Sequence, residues 1–239
     1  MKGTKEVLII ILLITVFFSC ETAPTEKRTE SRTKAGTERK KQSISVSKDT
    51  EVAVEYDYNT NEWDEISYDD DSILLDLRYA QTNNFVKKKL YKCPRCFLRP
   101  DIAEKLNSAN RELLKKGYKL MVFDCYRPKP VQEELWKMVP DEDYVAAPWK
   151  GSMHNRGLAV DLTIADKNDN ELDMGTPFDF FGEEAHFTYT NLPPQVLANR
   201  QLLKSTMEKY GFQSIRTEWW HYSVSAGSYP ISDWQWQCN

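Results

Sequence analysis

Histidine is sparse in this chain, which has only three among its 239 residues. A long apolar run is also lacking: residues 7–18 form an apolar stretch that falls short of the ~20 residues a membrane-spanning helix needs. The formal net charge is −4, and no basic stripe with interleaved aromatic residues is present. These absences argue against a nucleic-acid partner and make the position of each histidine informative.

The N-terminus has the pattern of an export signal. Lys2 and Lys5 precede the apolar run, and Ser19 and Cys20 follow it. A Cys directly after a small residue is similar to a bacterial lipoprotein signal, so we predict a signal peptide at residues 1–19 and lipidation of Cys20. Phe17 stands where such signals usually have Leu, and an ordinary signal peptide with a chance Cys is the alternative.

Residues 20–50 are rich in Thr, Ser, Lys, Arg and Glu and have almost no large apolar side chain. Such a segment cannot bury enough surface to offset the entropy of ordering, so we predict a disordered tether. Residues 51–239 are long enough for one domain with its own core. The expected location is the cell envelope, with a lipid anchor on the periplasmic side of a bacterial membrane.

Two of the three histidines lie in clusters that suggest a metal site. His154 precedes Asp161 by seven residues, and Glu218 precedes His221 by three. Neither a helix nor a strand would let His154 and Asp161 share one ion, so the chain must turn between them, and residues 155–157 (Asn-Arg-Gly) favour such a turn. Two imidazoles, one carboxylate ligand and a spare carboxylate predict a catalytic zinc hydrolase with one Zn²⁺ per chain.

The motif S-x-H-x-x-G-x-A-x-D followed by E-x-W-H resembles the zinc D-alanyl-D-alanine dipeptidases, the VanX-type branch of the D,D-peptidase family M15. Further matches follow in the family's order and place the resemblance over about residues 70–225. They are Asp76-Leu77-Arg78-Tyr79-Ala80 with Asn83-Asn84-Phe85, Cys96-Phe97-Leu98-Arg99, Asp124-Cys125-Tyr126-Arg127-Pro128, Leu172-Asp173-Met174-Gly175-Thr176-Pro177-Phe178-Asp179, and Thr217-Glu218-Trp219-Trp220-His221.

The metal cluster and the resemblance together suggest roles for two charged residues. Glu218 is the candidate general base, although a surface carboxylate at a strand start is the alternative. Arg127, held extended by Pro128, is the candidate for stabilising the oxyanion of the transition state. From the residues alone, a surface ion pair of Arg127 with Asp124 or Glu133 is the simpler interpretation.

The resemblance also implies a substrate pocket. In it, Ser152 and Asp179 would hold the free ammonium group of a small D,D-dipeptide. Tyr79 and Asn84 would line the same pocket. His186 matches a loop position of the family, and we assign it to the loop rather than to zinc.

The four remaining cysteines are Cys93, Cys96, Cys125 and Cys238. An exported protein meets oxidising conditions, so we expect at least one structural disulfide, but three pairings are possible and the sequence does not choose among them. The C-terminal Trp234, Trp236 and Cys238 could cover a sheet edge or form a disulfide latch.

Periodicity predicts helices at residues 101–116, 130–139 and 195–210, and strands at 119–124, 158–164 and 219–225. In the last strand, Trp219 and Trp220 should point to opposite faces, one of them toward the core, and core packing is the default interpretation for both. This mixed order indicates an α+β fold. The resemblance implies a small, mainly antiparallel sheet flanked by helices, with the zinc on the sheet.

Three functions remain open at this point. The first is hydrolysis of D-Ala-D-Ala dipeptide in the cell envelope. The second is a zinc D,D-carboxypeptidase or endopeptidase that acts on longer wall peptides, and its pocket would be open where Ser152 and Asp179 should close it. The third is a non-catalytic wall-binding lipoprotein. The sequence does not specify an oligomeric state.

Overall fold

The structure is a computed structural model that describes residues 55–67, 73–225 and 229–238. The predicted signal peptide, Cys20 and the tether lie outside the described residues. The strands are β1 (Asp64–Ile66), β2 (Leu74–Leu75), β3 (Cys96–Leu98), β4 (Lys119–Asp124), β5 (Ala159–Ala165), β6 (Gln213–Ser214) and β7 (His221–Ser223). The α-helices are α1 (Pro100–Leu114), α2 (Lys129–Met138) and α3 (Pro194–Lys209). The α+β prediction is confirmed.

The main sheet has five strands in the order β2-β4-β5-β7-β6. Only the β2–β4 pair in it is parallel, which agrees with the mainly antiparallel sheet that was expected. Strands β1 and β3 form a separate antiparallel pair. All seven residues of β5 are buried, so the central strand is covered on both faces and its polar side chains lie inside the protein.

The three helices begin and end within two residues of the predicted positions. In α1, an apolar stripe of four residues is buried against the core: Ile102, Leu106, Ala109 and Leu113. Arg99 is the N-cap of α1, and Pro100 follows it in the first helical turn, where the missing N–H of proline costs nothing. None of the helices among the described residues has the length and apolar character that crossing a membrane requires.

Strand β7 is shorter than predicted, since Trp219 and Trp220 precede it. Both indoles are almost fully buried, which agrees with the core packing expected for both. The Trp219 indole N–H donates to the Thr176 hydroxyl at 2.8 Å. The Trp220 ring packs on Phe178 and lines the cavity described below.

Two disulfides join the cysteines as Cys93–Cys238 and Cys96–Cys125. The two cysteines of the C-P-R-C segment therefore pair with different partners, which excludes a dithiol redox motif here. The first bond fastens the C-terminal segment, as the latch interpretation proposed. Trp234 of that segment stacks on Trp63 with ring centroids 5.1 Å apart.

We expect loss of the Cys93–Cys238 bond to destabilise the fold. This bond closes a loop of 145 residues, so removing it increases the entropy of the unfolded chain and frees the C-terminal segment. The double variant Cys93→Ser/Cys238→Ser should lose about 2–5 kcal/mol of unfolding free energy in non-reducing urea titrations. An unchanged urea midpoint would show that aromatic packing alone holds the segment.

Candidate active site

The register of the central strands brings two of the predicted metal ligands together. Asp161 of β5 pairs directly with His221 of β7 on one side and with Asp124 of β4 on the other. Directly opposed residues of neighbouring strands project from the same face of a sheet. The side chains of Asp161 and His221 therefore meet over the sheet although 60 residues separate them.

His154 reaches the same place through the turn that the sequence predicted. Residues His154–Arg156 form one turn of 3₁₀ helix, and Gly157 ends it with a left-handed φ of 72°. A Cβ atom at position 157 would lie 2.5 Å from the Trp63 ring, so both the backbone angle and the space require glycine. Strand β5 starts two residues later and carries Asp161 back toward His154.

The three ligand atoms form a nearly equilateral triangle. His154 Nε2 lies 3.1 Å from His221 Nδ1 and 3.2 Å from Asp161 Oδ1, and the last two atoms are 3.0 Å apart. The corners of such a triangle stand about 1.8 Å from its centre, just inside the ~2.0–2.1 Å length of a zinc–nitrogen bond. The residues present therefore fit a zinc ion.

The hydrogen bonding of His154 supports the same interpretation. Its Nδ1 lies 2.7 Å from the carbonyl oxygen of Cys125, which can only accept, so Nδ1 carries the proton. In the neutral ring Nε2 is left with a lone pair that faces Asp161 and His221. Lone pairs and a carboxylate at this separation repel one another unless a proton or a cation lies between them.

The electrostatics of Asp161 agree with a ligand that stays ionised. Burial acts to raise the pKa of Asp161, but positive charge on the two neighbouring imidazoles outweighs it and holds this pKa well below its usual range, as a bound cation at the same place would also do. A carboxylate must be deprotonated to bind a metal, so the site has the required ionisation.

Glu218 stands beside the triangle and outside it. Its Oε2 is 3.9 Å from His221 Nδ1, and its side chain is 14% exposed on the cavity wall. Burial raises the pKa of Glu218 to about 8; the imidazole of His221 opposes this rise, and the charges of Asp161 and Asp179 add to it. A carboxyl group with a pKa near neutrality can take up and release a proton at working pH, which suits a general base.

Arg127 is buried and lines the same cavity. It pairs with Asp124, as the simpler interpretation had it, but inside the protein rather than on the surface. Its Nε donates to Asp124 Oδ2 at 2.9 Å and its Nη1 to Gln132 Oε1 at 2.9 Å. Asp124 also accepts a hydrogen bond of 2.6 Å from the Tyr91 hydroxyl. These contacts fix the guanidinium before any substrate arrives.

The pocket residues implied by the resemblance are only partly brought together. Ser152, Asp179 and Tyr79 line the cavity, and the Tyr79 hydroxyl donates to Asp179 Oδ2 at 3.2 Å. Burial raises the pKa of Asp179 well above its ordinary range; the charge of Asp161 adds to this rise and Arg127 opposes it. An ionised Asp179 is therefore stabilised by any cation that enters.

Asn84 corrects an expectation, since it is not part of the cavity wall. Its amide group donates to the carbonyl oxygens of Arg78, Gln81 and Lys88, so it holds its own loop in shape. His186 lies away from the triangle, with Nδ1 3.1 Å from Arg216 Nη1, which agrees with a role in its loop.

Asn155 connects three parts of the site, a role beyond the turn that its residue type favours. Its Nδ2 donates to the carbonyl of Arg127 at 2.6 Å, and its Oδ1 accepts from the backbone N–H of Ser152 at 2.8 Å. Asn155 follows the ligand His154 directly, so it ties the arginine and the serine to the metal turn. Its only signal in the sequence was its place inside the H-x-x-G motif.

Two imidazoles and a carboxylate that converge in a cavity, with a second carboxylate beside them, define a metallopeptidase site. The family model of peptidase M15, D-Ala-D-Ala dipeptidase, matches residues 64–237. The chain therefore belongs to this family, which confirms the resemblance seen in its motifs. The match continues past residue 225 into the C-terminal segment, which the motifs had placed outside the family.

The relatives agree with this assignment. The D-alanyl-D-alanine dipeptidase of Escherichia coli (strain K12) is 38% identical over 165 residues, which cover 69% of this chain and 86% of the relative. The D-alanyl-D-alanine dipeptidase of Enterococcus faecalis (strain ATCC 700802 / V583) is 32% identical over 179 residues. This alignment covers 65% of this chain and 87% of the relative. The solved structure of VanYB in complex with D-alanine-D-alanine has a TM-score of 0.36 at 18% identity over 55% of this chain and 73% of that one, too distant to carry an argument.

Removal of the Asp161 carboxylate should weaken metal binding. We expect Asp161→Ala to lower metal affinity at least ~10-fold, because the remaining imidazoles supply neither the third bond nor the negative charge. Competition with a chromophoric chelator measures this affinity. The exposed Asp233 gives a matched control, and Asp233→Ala should bind as the wild type does. Equal affinities of the two variants would contradict the assignment.

Proposed function

We propose that the protein is a zinc-dependent dipeptidase that hydrolyses D-Ala-D-Ala, with one Zn²⁺ per chain. The observation that carries this proposal is the triangle of His154, Asp161 and His221 in a cavity shared with Glu218 and Asp179. The preference for D-residues is taken from the family, since zinc hydrolysis itself does not depend on the hand of the substrate.

The triangle would hold the zinc ion and leave one side open to the cavity. When bound, zinc would supply a Lewis acid that polarises the scissile carbonyl and lowers the pKa of a water molecule toward ~7. Two neutral imidazoles and one carboxylate leave a net charge of about +1 at the centre, which preserves that acidity.

Glu218 moves the protons of the reaction. It accepts a proton from the attacking water and then returns a proton to the nitrogen of the leaving amine. Its position at 3.9 Å from a ligand nitrogen places it near the reacting atoms without making it a ligand. Burial keeps its pKa close to neutrality, so neither transfer is strongly uphill.

Arg127 stabilises the negative charge that develops on the carbonyl oxygen. Its guanidinium is already oriented by Asp124 and Gln132, so little reorganisation is needed as the charge appears. This stabilisation is stronger in the transition state than in the ground state, which is the condition for it to increase the rate.

The ammonium group of the dipeptide would pair with Asp179, and Ser152 and Tyr79 would complete its environment. The cavity has a volume of about 270 Å³, just below the ~300 Å³ at which pockets for drug-sized ligands begin. A small cavity with a buried carboxylate favours a dipeptidase over a carboxypeptidase that acts on long wall peptides. The three candidate ligands occur together with Glu218 and Arg127, which argues against a non-catalytic binding protein.

We also propose that the protein is exported and lipid-anchored through Cys20 on the periplasmic side of a bacterial membrane. Residues 20–50 would link the anchor to the catalytic domain. Two disulfides in the described residues support an oxidising compartment.

The metal-loaded protein should release D-alanine from D-Ala-D-Ala, and a chelator should abolish this release.

Glu218→Gln should lose at least ~100-fold in kcat, because the general base is removed and the shape of the side chain is kept. Chromatography of the amino-acid product measures turnover, and L-Ala-L-Ala and a pentapeptide ending in D-Ala-D-Ala test selectivity. If Glu218→Gln also loses its metal, Glu218 is a ligand and the assigned role is wrong.

The proposed ammonium site predicts a selective loss in Asp179→Asn. Asparagine tolerates the left-handed φ of 61° at this position and removes only the charge. We expect kcat/KM for D-Ala-D-Ala to fall roughly 30-fold or more, as when one partner of a buried ion pair is removed. The inhibition constant of N-acetyl-D-Ala-D-Ala should change far less.

Asp143 offers a matched control, because it is a second carboxylate on the same cavity wall but lies exposed. Asp143→Asn should leave kcat/KM for D-Ala-D-Ala and the inhibition constant of N-acetyl-D-Ala-D-Ala within about threefold of wild type, since exposed charges are screened. Equal losses for the free and the acetylated dipeptide in Asp179→Asn would remove this account of specificity.

A further inference from the structure

Three aromatic side chains from three separate loops line the cavity together. We call Phe85, Tyr144 and Phe181 the aromatic rim. The ring centroids of Phe85 and Phe181 are 5.1 Å apart, and those of Tyr144 and Phe181 are 5.0 Å apart. Phe181 is 38% exposed, so the rim lies where the cavity opens to solvent.

The aromatic rim is continuous with the carboxylate that the proposed function assigns to the substrate's ammonium group. The ring of Phe85 contacts the ring of Tyr79 edge-on at 6.4 Å, and the Tyr79 hydroxyl donates to Asp179. Phe181 follows Asp179 by only two residues. A peptide longer than two residues would continue past Asp179, in the direction of these rings.

Pairing with Asp179 cannot by itself measure the length of a substrate. A tripeptide also carries an ammonium group, displaced outward by one residue, and its chain could continue through an open mouth. Discrimination by length needs a steric element on the far side of the carboxylate. The rim is apolar and made of rings that pack against one another, so displacing it forfeits those contacts and exposes apolar surface.

We propose that the aromatic rim sets the substrate length, because its rings occupy the space into which a third residue N-terminal to the dipeptide would extend. Phe181 is the main determinant, since it contacts both other rings. This inference rests on the proposed function, in which the dipeptide's amine lies at Asp179.

The test compares two substrates in the metal-loaded protein, D-Ala-D-Ala-D-Ala and D-Ala-D-Ala. The measured quantity is the ratio of their kcat/KM values, taken from initial rates of substrate loss. Phe181→Ala should raise this ratio at least ~10-fold over wild type, in line with the discrimination that a few methylene groups provide in an apolar pocket. Tyr144→Ala, from a different loop, should shift the ratio in the same direction and keeps the test valid if one variant misfolds.

Phe180 provides the matched control. It is adjacent to Phe181 and 36% exposed, and it is not part of the cavity wall. Phe180→Ala should leave the ratio unchanged. If Phe181→Ala and Tyr144→Ala both cleave D-Ala-D-Ala and keep the wild-type ratio of the two kcat/KM values, the aromatic rim does not set the substrate length. In that case the inference is overturned while the proposed function stands. If the metal-loaded wild type cleaves no D-Ala-D-Ala, the proposed function is overturned and the inference falls with it.

Discussion

The structure depends on one electrostatic constraint, the close approach of three electron-rich atoms in a buried place. His154 Nε2, His221 Nδ1 and Asp161 Oδ1 lie 3.0–3.2 Å from one another. Such an arrangement is unfavourable without a cation, so the fold must hold it in place by other means. The β5–β7 register supplies two of the atoms, and the Gly157 turn with the Cys125 carbonyl orients the third.

The same constraint explains the hydrogen bonds and the disulfide that surround the three atoms. The carbonyl of Cys125 accepts the hydrogen bond of His154, and the Cys125 side chain is bonded to Cys96 of β3, so a disulfide lies directly behind a candidate metal ligand. Hydrogen bonds of this kind fix the tautomer and orientation of a ligating imidazole. The Asn155 side chain donates to the carbonyl of Arg127, so these contacts also join Arg127 to the turn that carries His154.

The C-terminal segment is a support of this site, although it contributes no ligand. The backbone N–H of Ser232 donates to the carbonyl of Asn155 at 2.8 Å, and Arg156 donates to the carbonyl of Tyr229 at 2.6 Å. A Cβ at Gly151 would meet the Ile231 side chain at 2.3 Å. The segment therefore packs against both ends of the turn that carries His154, and the Cys93–Cys238 bond fastens it there.

The sequence by itself predicted the three candidate metal ligands, the candidate general base, the α+β class and the helices. Each follows from a local pattern: His154 and Asp161 from a motif that must contain a turn, and α1 from an apolar period of 3.6 residues. The disulfide pairing, the role of Asn84 and the aromatic rim were decided only by the tertiary structure. These depend on which distant segments meet, and residue types carry no such information: four cysteines allow three pairings, an amide bonds whichever carbonyls surround it, and three rings form one wall only when three loops converge.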